Sequence, residues 1–256
     1  MVDIRNMGNY YKVVLDFAHG ASHREIGEEL GEQILMTVPG YEALLDSILM
    51  ESALKLADGD ESKLESCYYE ILRRANDIKG QLNKDYRDEI EGMASRFSGG
   101  NINIMGDNKI SVDEVYALFL IPDIIRAANC SFLAVHGSRT ANGKLLMAKL
   151  FDWDSGSRNQ LSEIHAVTTI KQGNKSIFLI GLLGYLTCLN GINRSRVFLG
   201  TLDAGTGGAY SSQGKRSYCF DARYALENLN TVDDILSCLK SFSGDYTYSH
   251  NFACAD

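Results

Sequence analysis

The sequence predicts an α+β fold in which helices and sheet are grouped along the chain instead of alternating. Three observations carry this. Apolar residues recur at helical spacing through most of residues 1–129, short apolar runs separated by Asn-Gly and Gly-Asn dipeptides follow, and the charge changes at the same boundary. Residues 1–129 hold 23 acidic and 13 basic side chains, net −10, whereas residues 130–256 hold 10 and 12, net +2. A chain of 256 residues that is 45% hydrophobic can bury a sizeable core. We read it as one integrated domain with a mostly helical portion, 1–129, and an antiparallel strand-rich portion, 130–256.

The elements follow in order. Tyr11 to Phe17 reads as extended. Ser22 and Glu25 form an S-x-x-E capping box ahead of Ile26, Leu30 and Ile34 at helical spacing. Gly27 and Gly31 lie four apart on a neighbouring stripe of that helix. Each costs a helix up to about 1 kcal/mol relative to Ala, so close packing against another backbone is the expected reason. Residues 43–56, 62–79 and 85–97 read as further helices, and Ser98 to Gly100 as a turn. Ser111 and Glu114 make a second capping box for a helix through Val115, Leu118 and Phe119, which Pro122 must kink or start anew.

From Cys130 the signals are those of hairpins. Cys130–Thr140 pairs with Lys144–Trp153 around Asn142-Gly143, and Ile164–Ile170 with Ser176–Ile180 around Gln172-Gly173-Asn174. A third pair, Tyr185–Leu189 with Val197–Leu202, would turn at Asn190-Gly191 and complete an antiparallel meander. Helical spacing returns at Ala222, Ala225, Leu226 and Leu229, and again after a T-x-x-D cap at Thr231. Tyr246 to Asp256 reads as a last strand that is cut off abruptly.

Composition excludes several classes of function. A net charge of −8 and a pI near 5.2, with no basic stripe, argue against nucleic-acid binding. Charged residues interrupt the N-terminal apolar residues, so no export signal is read there. The longest apolar stretch, Ile177–Leu189, is broken by Gly181, Gly184 and Thr187 and falls short of the about 20 residues a membrane span needs. Cys67, Cys130, Cys188, Cys219, Cys238 and Cys254 are scattered, with no CxxC pair and no clustering with histidine. Neither a metal site nor a disulfide framework is expected, and reduced thiols in the cytoplasm are the default.

Cys130 stands where charge and composition both switch, between the small polar residues Asn129 and Ser131, and the bond before it is expected in a tight, accessible turn. If that bond were broken, the thiol would lie beside its own α-amine, whose ordinary pKa of about 7.7–8.0 suits it as a base. On pattern alone, a buried cysteine acting as a small hydrophobe is the commoner outcome. His136 lies six residues along the same strand, about 20 Å away at about 3.3 Å per residue, and cannot serve as the base. His23 reads as a surface residue in the first turn of a helix, and His250 as a contact either to the substrate or to a residue that touches it. Phe151 and Trp153 flank Asp152 and read as core residues, one of which could face an acyl pocket. The run Gly205 to Gly208 lacks the Lys-Ser/Thr of a phosphate loop and reads as a flexible loop near the site.

Six segments together resemble the isopenicillin N acyltransferase-like family of N-terminal nucleophile (Ntn) cysteine hydrolases, related to the choloylglycine hydrolases. His19-Gly20-Ala21-Ser22 through Gly27 and Gly31 is similar to the family's opening "G-S-x-x-x-x-G-x-x-x-G" helix, and Glu91-Gly92-Met93-Ala94 to its "E-G-hydrophobic-A" segment. Asn129-Cys130-Ser131-Phe132 looks like the nucleophile strand, and Asn142-Gly143 through Phe151-Asp152-Trp153 like the next strand. Gly191-Ile192-Asn193 through Val197 resembles the "G-x-N-x-x-G-hydrophobic" loop, and Ser249-His250-Asn251-Phe252 through Asp256 the "S-H-N-F-x-x-A-D" segment. The resemblance covers nearly the whole chain.

It implies an αββα sandwich, self-cleavage between Asn129 and Cys130, and hydrolysis or transfer of an acyl group from a linear amide through a thioester. Residue by residue, it implies Cys130 as nucleophile, Asp152 positioning its amine and thiol, and Asn251 and Asn193 as donors to the substrate or its oxyanion. His250, Lys149 and Trp153 would contact a small-molecule amide or N-acyl substrate, with no metal or organic cofactor. Two positions depart from the family: Lys149 stands where choloylglycine relatives have arginine, and Arg196 replaces the second glycine of the loop. Family members continue into further strands, so the sequence reads as C-terminally truncated, with a free sheet edge that invites homo-oligomers. The alternative reading is an uncleaved, non-catalytic binding module of the same fold.

Overall fold

The opening residues form a hairpin that periodicity shows only in part. In a computed structural model, which describes residues 1–125, 128–153, 156–204 and 209–256, β1 (Val2–Asn6) pairs antiparallel with β2 (Tyr11–Asp16). β2 alternates buried and exposed positions, while the short β1 has too few apolar residues to announce itself. Both serine capping boxes form. Ser22 accepts from the Glu25 N–H and the Glu25 carboxylate accepts from the Ser22 N–H, opening α1 (His23–Thr37). α2 (Tyr41–Leu56), α3 (Leu64–Lys79) and α4 (Lys84–Ala94) follow, and the Ser111–Glu114 box opens α5 (Val112–Phe119). Pro122 lies in the first turn of a new four-residue helix, α6 (Ile121–Ile124), where its missing N–H costs nothing.

The glycines of α1 are there for close packing, as their spacing predicts. A Cβ on Gly27 would stand 2.2 Å from the Glu89 carbonyl oxygen, and one on Gly31 2.6 Å from that of Met93. Gly92 of α4 returns the relation, with its would-be Cβ 2.3 Å from the Arg24 carbonyl oxygen. Backbones this close tolerate no side chain.

β3 (Ala128–Gly137) and β4 (Gly143–Trp153) form a separate antiparallel ribbon. The main sheet has the order β1-β2-β5-β6-β7-β8-β9, with β5 (His165–Gln172), β6 (Lys175–Leu182), β7 (Asn190–Asn193), β8 (Phe198–Asp203) and β9 (His250–Ala255). β5 pairs antiparallel with β6 as expected, and β7, β8 and β9 continue antiparallel; Tyr185–Leu189, expected as a strand, lies outside any strand, and β2 runs parallel to β5, which makes the sheet mixed. The predicted turn at Asn190-Gly191 is corrected. Both residues lie inside β7, and the chain reverses at 194–196, where Arg196 takes φ 67 in the left-handed region that favours glycine. α7 (Tyr218–Asn228) and α8 (Val232–Ser241) come between β8 and β9, with α7 packed on β6, β7 and β8 and α1 on β1 and β2. The fold is α+β with grouped helices and a mixed sheet, and no helix among the described residues is long and apolar enough to cross a membrane.

α1, α4 and α7 are joined through a buried ionic network. Glu89 accepts from Arg223 Nη2 at 2.8 Å and hydrogen-bonds His23 Nδ1 at 2.7 Å. The expectation that His23 is a plain surface residue is therefore corrected: its side chain is mostly buried, between Phe17 and Glu89. Burial alone would disfavour its charge, but the hydrogen bond and attraction from Glu89 raise its pKa above 6.5. A raised folded-state pKa gives stability that is fully present below the unfolded value and is lost as pH rises through the folded one. The loss in stability from His23→Gln, measured by urea unfolding, is therefore expected to shrink from about pH 5.5 to about pH 8.5. A loss that stays constant or grows across that interval would refute it.

The ribbon packs against β8, with the Phe132 and Phe198 rings 6.1 Å apart. Its other face carries Leu133, Leu146 and Leu150, each at least 60% exposed. An apolar strand face with open edges favours association. Leu133→Lys combined with Leu150→Glu is expected to reduce concentration-dependent self-association in sedimentation velocity, and an unchanged profile would count against it.

Candidate functional site

Strand alternation decides what stands beside Cys130. The Cα of Cys130 pairs with that of Phe151 across the ribbon, so Cys130, Lys149, Phe151 and Trp153 share one face. Asp152 pairs with Asn129 and points to the other face, exposed. Its expected role is corrected accordingly. It stands opposite Asn129, on the side of the ribbon away from the thiol. The Asn129–Cys130 bond lies within the paired strand β3, not in the tight turn expected from its small polar neighbours.

Cys130 is half-buried and lines a small pocket, of about 20 Å³, with Phe151, Trp153, Thr201, Asp203 and His250. Pro122, Leu189 and Tyr218 complete the wall. Asp203 and His250 are neighbours by register, their Cα atoms paired across β8 and β9. The His250 ring stacks on Tyr218, with centroids 3.5 Å apart. Tyr218 is held in turn at the start of α7, where its N–H and the Ser217 hydroxyl donate to the Asp123 carboxyl at 3.1 and 2.6 Å. Asp123 is fully buried, and burial pushes its pKa up to about 8 against those two hydrogen bonds. It is a largely neutral acid at pH 7 that fixes the ring beneath His250.

Lys149 lies behind the thiol and does not line the pocket, which corrects its expected place as a substrate contact. Its stem passes Gly200, where a Cβ would come within 3.1 Å of the lysine Cδ, and its ammonium donates to the Leu189 carbonyl at 3.1 Å. Burial lowers its pKa, and attraction to the thiols of Cys130, Cys188 and Cys219 opposes that shift. It is a half-buried cation near the thiol.

The two asparagines are not brought to the thiol. Asn193 is buried, donates to the Leu229 carbonyl at 2.8 Å and accepts from the Val197 N–H at 3.0 Å, so it clamps the β7–β8 turn to the end of α7. Asn251 alternates to the face away from its neighbours His250 and Phe252 and is exposed; it lines a groove beside Leu236 and Lys240 of α8. Sequence reading placed Cys130, Trp153 and His250 at the site but missed Thr201, Asp203 and Tyr218. The only signal for them was alternation in β8, which becomes usable once its register with β9 is known. Gly205 to Gly208, read as a loop near the site, lie outside the described residues. No cluster of His, Cys, Asp and Glu able to hold a metal ion occurs among the described residues.

Four of the other thiols are shifted by burial. Burial pushes Cys188 up to about 12 and Cys254 up to about 11, and raises Cys219 and Cys238 as well. Thiolate is the reactive form, so iodoacetamide near pH 7.5 is expected to label Cys130 at least about tenfold faster than these four. Peptide mapping of a time course checks it, with Cys67 as the half-buried reference outside the pocket. Labelling of Cys130 no faster than Cys188 would contradict it.

No protein-family model matches the sequence, and no curated protein matches it.

Proposed function

We propose that the protein is a cysteine-dependent amidohydrolase or acyltransferase acting on linear amides, with Cys130 as the nucleophile. The observation that carries this is the placement of the thiol at a pocket walled by Thr201, Asp203 and His250, with half-buried Lys149 behind it. A thiol between a cation and groups able to bind a polar substrate is the arrangement nucleophilic acyl chemistry needs. In the first step Cys130 loses its proton to a base and its sulfur attacks the amide carbonyl carbon. The C–N bond breaks, the amine leaves with a proton, and a thioester forms. Water or another amine then attacks the thioester, giving an acid or a new amide and restoring the thiol.

Two bases are available. Lys149 serves in the intact chain, because its lowered pKa leaves more of it neutral. Self-cleavage before Cys130 would add the α-amine. That step, like the αββα sandwich and membership of the Ntn family, belongs to the proposal and rests on the order of the six motifs and on Asp152 standing opposite Asn129. One observation favours the second reading, an uncleaved binding module: the bond lies within a paired strand.

The test is the intact mass of the wild type and Cys130→Ala under denaturing conditions, before and after incubation with a short acyl thioester. The reading expects an acyl adduct on the wild type and none on the variant. Self-cleavage would give pieces of 129 and 127 residues from the wild type and a single 28.3 kDa species from the variant. No adduct on Cys130 in either form of the chain would leave the binding-module reading in place.

A further inference from the structure

Away from the thiol, the main sheet carries an open groove of about 450 Å³, within the about 300–1,000 Å³ range of small-molecule sites. Strand pairing sets its floor. Phe178 stands beside Ile192 across β6 and β7, and one step along Lys171 stands beside Ser176, whose carbonyl accepts from the Arg194 N–H at 3.0 Å. Side chains two apart on a strand share a face, so an apolar row with Phe178 and Ile192 lies next to a cationic row with Lys171 and Arg194. Gly191 and Asn193 turn the other way, onto α7. Farther along the apolar row Phe198 is covered by Phe132 of the ribbon, whereas Phe178 stays 39% exposed.

The charge of the groove is one-sided. Lys171, Lys175, Arg194 and Arg196 line it, no carboxylate does, and none of the four forms an ion pair among the described residues. Two of them are hydrogen-bonded, but to neutral groups: Lys175 donates to the Asn228 side chain at 2.8 Å and Arg194 to the Asn174 carbonyl at 2.9 Å. Arg196 takes φ 67, so a cation occupies a turn position that glycine fills at less cost. In a chain with a net charge of −8, four uncompensated cations gathered in one groove make a local positive field that attracts anions.

We propose that the groove binds a small organic phosphate, with the phosphoryl group held by Lys171, Arg194 and Arg196 and a flat apolar body laid on Phe178 and Ile192. Four cations exceed what one carboxylate balances, whereas a phosphomonoester carries about −1.5 to −2 charge and three acceptor oxygens, which guanidinium forks match bidentately. Lys171 and Arg194 stand two strand spacings apart, about 10 Å between Cα atoms, a span that two long side chains close onto one phosphate. The site is independent of Cys130 and of the reaction assigned to it.

Equilibrium dialysis of the full chain against 1-naphthyl phosphate, inorganic phosphate and 1-naphthol tests it. 1-Naphthyl phosphate is expected to bind at least about fivefold more tightly than either of the other two, and less tightly as NaCl rises from about 50 to about 300 mM. Lys171→Gln with Arg196→Gln changes two exposed side chains that have no hydrogen-bond partner among the described residues. It is expected to weaken 1-naphthyl phosphate at least about tenfold with the circular dichroism spectrum unchanged. Phe178→Thr, or Phe178→Leu if that variant fails to fold, is expected to cut the advantage over inorganic phosphate while inorganic phosphate binds as before. A wild type that does not retain 1-naphthyl phosphate in the millimolar range overturns the proposal, as does a double variant that binds it as tightly as the wild type. Equal affinity for 1-naphthyl phosphate and inorganic phosphate overturns the apolar floor, and equal affinity for 1-naphthyl phosphate and 1-naphthol overturns the phosphate site.

Discussion

Replacing Arg223 with methionine is expected to destabilise the protein by about 3–5 kcal/mol, the range for removing one partner of a buried ion pair. Arg223 and Glu89 are each 1% exposed, and nearly every donor of the guanidinium is placed. Nη2 donates to Glu89, Nη1 to the Leu186 carbonyl at 3.0 Å, and Nε to Glu227 at 2.8 Å, while the group lies 4.4 Å from the Tyr86 ring centroid. Methionine fills similar volume but leaves Glu89 charged in the interior with only His23 to balance it. The cost comes from that uncompensated charge more than from the attraction lost, since desolvating two ions offsets much of what their pairing contributes. Removing the charge as well should therefore recover stability. Arg223→Met with Glu89→Gln is expected to be more stable than Arg223→Met alone, although each change removes contacts. Urea unfolding of the three proteins, followed by circular dichroism, decides the matter. A single variant that loses under 1 kcal/mol, or a double variant no better than the single, would show that the network contributes little.

The same residues show why the sequence disclosed the fold better than the site. Local chemistry was legible because its signals lie within a few residues. Ser22 with Glu25 and Ser111 with Glu114 cap helices wherever they occur, and Gly27 and Gly31 on one stripe announce a close neighbour without naming it. The neighbour, α4, and the partners Glu89 and Arg223 lie 62 and more residues away in sequence, where no periodicity reaches. Register is the second barrier. The hairpin around Asn142-Gly143 was evident, but only the pairing of Cys130 with Phe151 reveals that Asp152 and the thiol face opposite ways. Asn190-Gly191 failed as a turn signal because both residues are buried, Gly191 against Leu226 of α7, and tertiary packing overrode local preference. Asn193 and Asn251 carried motif positions, yet one is consumed by a turn and a helix end and the other by strand alternation. A motif gives residue types in order; the faces on which they stand come from pairing.

Lys149→Met tests whether the cation behind the thiol activates it. Lys149 and Cys130 attract each other, and a nearby cation favours thiolate, the reactive form, so Lys149→Met is expected to be alkylated at Cys130 more slowly than the wild type at neutral pH. Structural damage is an unsuitable explanation for such a change, because the Leu189 carbonyl keeps two other donors, the Thr201 N–H at 3.0 Å and the Thr201 hydroxyl at 3.2 Å. Lys149→Arg, which keeps the charge, should hold the pH profile of alkylation near its original position. If all three profiles coincide, Lys149 does not set the reactivity of the thiol. The experiment also separates the two bases. In an uncut chain Cys130 has no free α-amine, and Lys149→Met should show the slowing with no reactive limb near the pKa of an α-amine. In a chain cut before Cys130, the new α-amine would remain beside the sulfur with an ordinary pKa of about 7.7–8.0, and a reactive limb near that value would survive the substitution.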